Sequence, residues 1–397
     1  MRKLNIERSE NIFEYLFYLL FYALIIVCII RTMKVGTDYR VFYFAGKRII
    51  SGDYDLYNII RDGILTYKYS PFFAVLFVPL STISYKLSLF FWAIINSAFF
   101  ILGWLSCENF LKKNNINISN THRLLTLLFM IEVVTLNAQQ ANINAVVFGM
   151  VMFGLYTTLY AKKTLIQNIG LFLIALISSI KLTPMALVLF FLVIKEYRKC
   201  FLLIMMFTAL MIIPVFFFGL SKYPDLIKRW ILVLSDTGHF PFYKYTNQST
   251  IAQLSRWFGG NTLTVKFISS CINTFVLLCV LYSSRFKNVI LSVSLTIIFM
   301  LCVSPVSWKE YQIILCLPLM FMNIKLINRE LKGFPFYLYL ARILIVNILV
   351  QAIIGEKLGL MANYHGNYLW GILLLCTSMI LYFNDSLNTE GKGLKRS

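Results

Sequence analysis

Apolar runs long enough to cross a lipid bilayer recur along almost the whole of this chain. Of its 397 residues, 59% are hydrophobic and only 14% are charged. A water-soluble domain of this size cannot bury so much apolar surface, whereas a helix of about 20 apolar residues spans the hydrocarbon core. The composition therefore predicts an all-α polytopic membrane protein. We place twelve spans, near residues 12–32, 85–109, 121–137, 141–161, 164–181, 183–196, 200–220, 263–284, 287–304, 310–327, 334–354 and 365–384.

When these spans are traced from a cytoplasmic N-terminus, connections rich in lysine and arginine alternate with connections that contain few of them. The dense segments hold two or three basic residues each, and the short connections between them hold none or one. Dense segments are 1–11, 110–123, 161–164, 195–199, 285–287, 325–333 and the C-terminal tail. Because basic residues accumulate in cytoplasmic loops, both termini are predicted to be cytoplasmic in a multi-pass protein of the cell membrane.

The net charge of +20 is explained by this orientation and by contact with anionic lipid headgroups. Its bases are spread between apolar runs, so no nucleic acid is expected as a partner. The first span is not followed by a small-residue cleavage site, and we expect it to be retained.

The eight cysteines lie in or beside apolar runs, and the three histidines are scattered. These positions predict no disulfide and no cysteine–histidine metal site. Asp53 and Asp55 lie in the turn-like sequence SGDYDLY, which favours turn formation over binding of a divalent ion. We expect no metal and no cofactor.

Two outer loops, 33–84 and 221–262, are too long to be simple connections. Long loops on one face of a helical scaffold commonly carry function. Residues 1–384 are therefore predicted to form a single transmembrane domain with these loops on its active face, followed by a polar cytoplasmic tail at 385–397. The run YKYSPFFAVLFVPL (67–80) predicts a second amphipathic or re-entrant piece within the first loop.

The first outer loop begins with GTDYRVFYFAGKRIISGDYDLY, residues 36–57. On a helix, the polar face would contain Arg40, Tyr43 and Lys47, and the opposite face Phe42, Ala45 and Ile49. This pattern predicts a helix in the membrane interface with its apolar face in the lipid. Thr37 is the expected N-cap, and Asp38 falls in the first turn, where a carboxylate stabilises the helix dipole without any catalytic role.

The same stretch resembles the first-loop signature of family 87 glycosyltransferases. The resemblance continues in chain order to about residue 320. It is carried by Asp38, Phe42, Ala45, Gly52 and Tyr57, by YSP (69–71) and Pro79, by QANIN (140–144), by SIKLTP (179–184), by NQS (247–249) and by SPVSW (304–308). One position departs from the family pattern, since Lys309, Glu310 and Tyr311 stand where the family often has histidines.

The resemblance implies a glycosyltransferase C fold and a mannosyltransferase that uses polyprenyl-phosphate mannose, with Asp38 as the catalytic base. The chemistry of such a donor requires cations at headgroup depth for the leaving phosphate, and the candidates are Lys181, Lys309, Arg256 and Arg342. Residues expected to bind the sugar or the acceptor are Tyr69, Gln140, Asn142, Asn247, Gln248, Trp308 and Glu310.

Several of these residues also have simpler interpretations. Lys181 is equally explained as a snorkelling side chain at a helix end, and Lys309 as the partner of Glu310 at the rim of the protein. Arg342 lies within an apolar run and is explained as an interhelical hydrogen-bonding residue. Aromatic residues are common in the interfacial belt without any ligand.

Together these features predict an inverting hexosyltransferase of the cell envelope. It would move a sugar, in the family mannose, from a polyprenyl-phosphate donor to a glycolipid or glycan acceptor on the extracytoplasmic face. The alternative is a transporter or flippase of lipid-linked sugars, which would use the same cationic groove. Transporters of this size commonly consist of matching halves. The loops here follow the first and the seventh span and differ in length, which favours the enzyme.

Overall fold

The computed structural model describes residues 2–58, 66–235, 245–260, 262–349 and 351–393, with side chains between residues 11 and 387. In this part of the chain the regular structure is helical, apart from one isolated β-bridge between Asn247 and Trp308. The chain folds as two compact units, of which the first comprises residues 1–185 and 197–240 and the second 186–196 and 241–397.

The first unit contains ten α-helices in its described residues. These are α1 (Arg2–Lys34), α2 (Thr37–Ile50), α3 (Pro71–Thr82), α4 (Tyr85–Lys113), α5 (Asn120–Gln140), α6 (Asn144–Tyr160), α7 (Thr164–Ile180), α9 (Tyr197–Ile212), α10 (Val215–Phe218) and α11 (Tyr223–Ser235).

Where it is described, the second unit contains α8 (Leu187–Val193) and a C-terminal series of helices. This series consists of α12 (Thr250–Phe258), α13 (Leu263–Tyr282), α14 (Val289–Val303), α15 (Cys316–Ile327), α16 (Gly333–Ile343), α17 (Gln351–Ile354), α18 (Glu356–Tyr364) and α19 (Asn367–Gly393). Short 3₁₀ segments occupy Thr183–Ala186, Ser283–Phe286 and Lys309–Leu315, and α16 continues into one π-helical turn at Leu344–Ile348.

Among the described residues, seven helices are long and apolar enough to cross a membrane. These are Asn11–Lys34, Tyr85–Lys113, Asn120–Gln140, Tyr197–Phe218, Leu263–Phe286, Lys309–Ile327 and Asn367–Leu387. The prediction of an all-α protein is therefore confirmed for the described residues, and several of its helices could span a membrane. The other five predicted spans form apolar helices of 17 residues or fewer, so the count of twelve and the glycosyltransferase C fold remain predictions.

The outward surface of α1 agrees with contact with lipid. Tyr15, Leu19, Tyr22 and Ile26 recur every three or four residues along one face of the helix, and each exposes more than half of its surface. In water, an exposed apolar stripe of this length would promote association between protein molecules. In a bilayer, it would contact lipid chains that are equally apolar.

Close helix packing in the first unit depends on small residues. At Gly149, in α6, a Cβ atom would lie 2.3 Å from the main-chain oxygen of Phe99 in α4. At Gly170, in α7, it would lie 2.6 Å from the oxygen of Gly154 in α6. In membranes, such small residues let helices approach to backbone contact, and here they hold α6 between its two neighbours.

All eight cysteines are free in the structure. Asp53 and Asp55 form the predicted turn, because the Asp53 carboxylate accepts a hydrogen bond from the N–H of Asp55 at 3.2 Å. Asp55 also pairs with Arg229 of α11 at 3.4 Å. Among the described residues, histidine, cysteine and acidic side chains do not gather into groups of three or more that could hold a metal.

Candidate active site

Asp38 lies in the first turn of α2, as predicted, but the residue that caps this helix is Gly36. Gly36 adopts a left-handed conformation with φ of 48° and no side chain caps the helix, so the assignment of Thr37 as N-cap is wrong. A glycine reaches this conformation at little cost. Its N–H donates to the carbonyl of Gln139 at 3.1 Å, which attaches the start of α2 to the end of α5.

The apolar face of α2 packs on protein. Phe42 and Ala45 are buried, with the Phe42 ring centred 5.8 Å from the ring of Trp92 in α4. Tyr43 was predicted on the polar face, yet it is buried and donates to the carbonyl of Ile83 at 2.8 Å. The prediction that this face enters lipid is therefore wrong, because α3 and α4 cover it. Burial on these helices fixes the position of Asp38.

Asn142 holds the Asp38 carboxylate. Its Nδ2 donates to Asp38 Oδ2 at 2.5 Å. The orientation of the amide follows from its oxygen contacts, since Asn142 Oδ1 accepts the N–H of Ile143 at 2.7 Å and the hydroxyl of Tyr69 at 3.4 Å. With Oδ1 occupied by two donors, the NH₂ group must face the carboxylate. The predicted residues Asp38, Asn142 and Tyr69 thus form one connected group.

The turn between α5 and α6 presents Asn142. Gln140 is the last residue of α5 and is half-buried, and Ala141 follows in a left-handed conformation with φ of 53°. Such a conformation costs a residue other than glycine about 1–3 kcal/mol and tends to occur at functional sites. The indole N–H of Trp92 donates to the Ala141 carbonyl at 2.8 Å and helps to hold the turn.

Two motifs that lie far apart in the sequence meet at the start of α3. The Ser70 hydroxyl of the YSP motif donates to the carbonyl of Ser179 in the SIKLTP motif. Tyr57 donates to the carbonyl of Tyr69 at 3.0 Å, and the Tyr69 ring lies edge-on to Phe42 with centroids 4.9 Å apart. These contacts place the YSP segment beside the end of α7, where Lys181 begins the next connection.

Lys181 is half-buried, and its ammonium group donates to Asn144 Oδ1 at 2.7 Å. Its positive charge and that of Lys68 act on Asp38. Neither Lys68 nor Asn144 was among the site residues predicted from the sequence. Two features of the sequence could have identified them, since Asn144 lies within the QANIN motif and Lys68 directly precedes Tyr69.

Burial raises the pKa of Asp38 from its ordinary value of 3.8 to about 6. Desolvation is the largest cause, and it is opposed by the hydrogen bond from Asn142 and by the charges of Lys181 and Lys68. The carboxylate is then mostly ionised at neutral pH and is a stronger base than an ordinary aspartate. A base near the working pH is suited to removing a proton from a hydroxyl.

In the second unit, Asn247 joins the NQS and SPVSW motifs. Its Oδ1 accepts the N–H groups of Ser249 and Ser307, at 3.1 and 3.0 Å. The N–H of Gln248 donates to the carbonyl of Ser307 at 2.7 Å, and Trp308 forms the β-bridge to Asn247. Trp308 is half-buried, whereas Asn247 and Gln248 are buried. These three predicted residues therefore lie close together.

Arg256 holds this loop pair in place. Its guanidinium donates to the carbonyls of Asn247 at 2.7 Å and Tyr364 at 3.1 Å, and to the side-chain oxygen of Gln253. Burial lowers its pKa to about 10, so the group stays charged at neutral pH. A guanidinium that makes these contacts positions the loop, and the role of Arg256 in binding phosphate stays a prediction.

Lys309, Glu310 and Arg342 are all buried, which corrects the alternative placement of the first two at the rim of the protein. The Lys309 ammonium lies 5.1 Å from the centre of the Tyr368 ring. Arg342 donates to Asn347 Oδ1 at 2.7 Å, where α16 passes into its π-helical turn. Asn347 lies on the same continuous helix as Arg342.

A family model described as glycosyltransferase family 87 matches residues 67–305. No curated protein and no solved structure matches the chain. The matched segment contains the YSP, QANIN, SIKLTP and NQS motifs. It begins after Asp38 and ends before Trp308, so the roles of these two residues remain predictions.

Proposed function

The chain belongs to glycosyltransferase family 87, and from this premise we propose that it transfers a sugar from a polyprenyl-phosphate donor with Asp38 as the general base. The sugar proposed is mannose, and the acceptor is a glycolipid or glycan on the extracytoplasmic face of the cell membrane. We further propose that residues 1–384 act as one catalytic domain. The observation that carries the assignment is the half-buried Asp38 carboxylate, oriented by Asn142 and placed near Lys181.

In the proposed reaction, Asp38 accepts the proton of an acceptor hydroxyl as the oxygen attacks the anomeric carbon of the donor. A new carbon–oxygen bond forms, and the bond between the anomeric carbon and the phosphate oxygen breaks. The polyprenyl phosphate leaves with the electron pair, and the configuration at the carbon inverts. A β-linked mannosyl donor would then give an α-mannoside.

The neighbours of Asp38 support separate roles in this step. Asn142 fixes the direction of the carboxylate, so less entropy is lost when an acceptor hydroxyl binds. Lys181 supplies positive charge for the leaving phosphate, where negative charge develops in the transition state. Tyr69 bonds to Asn142 and is half-buried, which leaves part of its ring for a sugar face.

The second unit contains its own candidate contacts for the substrates. The ring of Trp308 is half-buried and offers a stacking surface for a sugar, with Asn247, Gln248 and Glu310 as candidate polar contacts. Gln248 Oε1 is buried and has no hydrogen-bond partner in the part of the chain that the structure describes. Lys309 and Arg342 are proposed as further cations for a phosphate.

The proposal is tested by incubating purified protein in liposomes with radiolabelled polyprenyl-phosphate mannose and a membrane glycolipid extract. We expect the label to appear in a new glycoconjugate. A protein that carries the intact donor across the bilayer and forms no product would be a flippase. A third outcome would also contradict the proposal: the label stays on the donor, and the donor stays on its original side of the bilayer, with every acceptor tried.

A further inference from the structure

The N-terminus of α6 is a buried helix end whose first N–H groups are not capped by a side chain. Asn144, Ala145 and Val146 form its first turn, and all three residues are buried. The N–H groups of a first helical turn have no partner within the helix, and the helix dipole makes this end positive. A buried end of this kind requires a ligand or water to satisfy its donors, and anions bind such ends well.

A second observation points to an anion at the same place. Asn144 is 3% exposed, and its Nδ2 has no hydrogen-bond partner among the described residues. A buried amide NH₂ without a partner costs about 1–3 kcal/mol, so an acceptor is expected beside it. Asn144 Nδ2 is bonded to the same carbon as the Oδ1 that receives the Lys181 ammonium. The available donor therefore lies within a few ångströms of a positive charge.

From this geometry we infer that the first turn of α6, Asn144 Nδ2 and Lys181 together form a binding site for the phosphate of the lipid-linked sugar and of the polyprenyl phosphate it releases. The identity of the lipid rests on the proposed function. That an anion binds at this place rests on the structure alone. A phosphate matches the site because it offers several acceptor oxygens to N–H, NH₂ and NH₃⁺ donors at once.

The position of this site gives the connection at residues 141–144 two roles. Asn142 holds the Asp38 carboxylate, and Asn144, two residues on, would bind the leaving phosphate. Lys181 acts electrostatically on Asp38 while it donates to Asn144. One short turn would thus help to position both the group that accepts the proton and the group that departs.

Binding of the product lipid tests this site without any need for turnover. Purified full-length protein in detergent micelles is titrated with undecaprenyl phosphate, and binding is followed by native mass spectrometry or thermal stabilisation. Asn144→Asp keeps the size of the side chain, but it replaces the NH₂ donor by a second carboxylate oxygen that repels phosphate. We expect at least tenfold weaker binding in this variant and about tenfold weaker binding in Lys181→Gln.

Two control variants show whether an effect on binding is specific to this site. Lys162→Gln removes an exposed lysine elsewhere in the first unit and should bind as the wild type does. Asp38→Asn should bind at least as tightly as the wild type does, because it removes a negative charge that interacts with Lys181. It should do so even where it transfers no sugar, so failure of the proposed base leaves the anion site testable. Thermal unfolding of each variant without lipid shows whether it is folded.

Unchanged affinity in folded Asn144→Asp and Lys181→Gln would overturn the inference and would make water the occupant of the helix end. Phosphatidylglycerol is titrated in parallel, and we expect it to bind at least tenfold more weakly than the polyprenyl phosphate. Equal affinity for the two lipids would show a general contact with anionic headgroups and would overturn the assignment to the donor phosphate.

Discussion

Replacement of Asp38 by asparagine is expected to reduce sugar transfer by about 10²–10⁴-fold, the usual contribution of a general base. The amide has nearly the shape of the carboxylate, and its oxygen can still accept the hydrogen bond from Asn142 Nδ2. It cannot accept the proton of an acceptor hydroxyl. The measurement is the initial rate of label transfer from polyprenyl-phosphate mannose by purified protein.

The same variant is expected to be as stable as the wild type, or more stable. The pKa of Asp38 is raised from 3.8 to about 6 in the folded protein, so the folded state binds the proton more tightly than the unfolded state does. Above pH 6 the ionised group therefore opposes folding, by about 3 kcal/mol at pH 7. An uncharged amide at this position removes this unfavourable contribution to the free energy of folding.

Asp225→Asn is the matched control, since this carboxylate lies exposed on α11 and pairs with the exposed side chain of Arg229. It should transfer sugar at the wild-type rate. Transfer by folded Asp38→Asn within a few-fold of the wild type would remove the base assignment. Loss of transfer together with loss of the folded protein would show a structural role for Asp38.

Replacement of Arg123 by methionine is expected to destabilise the protein by about 3–5 kcal/mol, as when one partner of a buried ion pair is removed. Arg123 forms two parallel bonds to Glu108, at 2.9 and 3.0 Å, which join α5 to α4. The Glu108 side chain is only 6% exposed. Without Arg123, the Glu108 carboxylate would keep the Lys112 ammonium at 3.7 Å and a hydrogen bond from the Trp104 indole at 2.9 Å.

Thermal unfolding in detergent measures this effect, and a double variant identifies its cause. Glu108→Gln combined with Arg123→Met leaves no buried charge and should recover most of the lost stability. Lys113→Met changes an exposed neighbour on α4 and should unfold at the wild-type temperature. A double variant as unstable as the single one would mean that packing, and not the stranded charge, dominates.

Local sequence pattern predicted the elements that carry the site but not what covers them. The helical period correctly placed Asp38 in the first turn of α2 and Phe42 on the opposite face from Arg40. Whether protein or lipid lies against that face depends on α3 and α4, which follow later in the chain. The burial of Tyr43 has the same cause, since its partner is the carbonyl of Ile83.

The contacts that define the site could not be derived from spacing, because they join residues far apart in sequence. Asn142 is 104 residues from Asp38, and Lys181 is 37 residues from Asn144. The family motifs named Asn142 and Lys181 without pairing them with these partners. Arg256 was predicted to bind phosphate, and in the structure its guanidinium donates to two main-chain carbonyls. An arginine can do either, so its residue type alone could not predict these contacts.

The most direct test of the central claim is the pH dependence of kcat/KM for sugar transfer. Only the ionised carboxylate accepts a proton, and burial raises the Asp38 pKa to about 6. Activity should therefore be constant above about pH 7, halve near pH 6 and fall about tenfold for each further pH unit. The phosphodiester of the donor stays ionised throughout this range. Transfer that persists unchanged to pH 5, as an aspartate with its ordinary pKa would allow, would contradict Asp38 as a base of raised pKa.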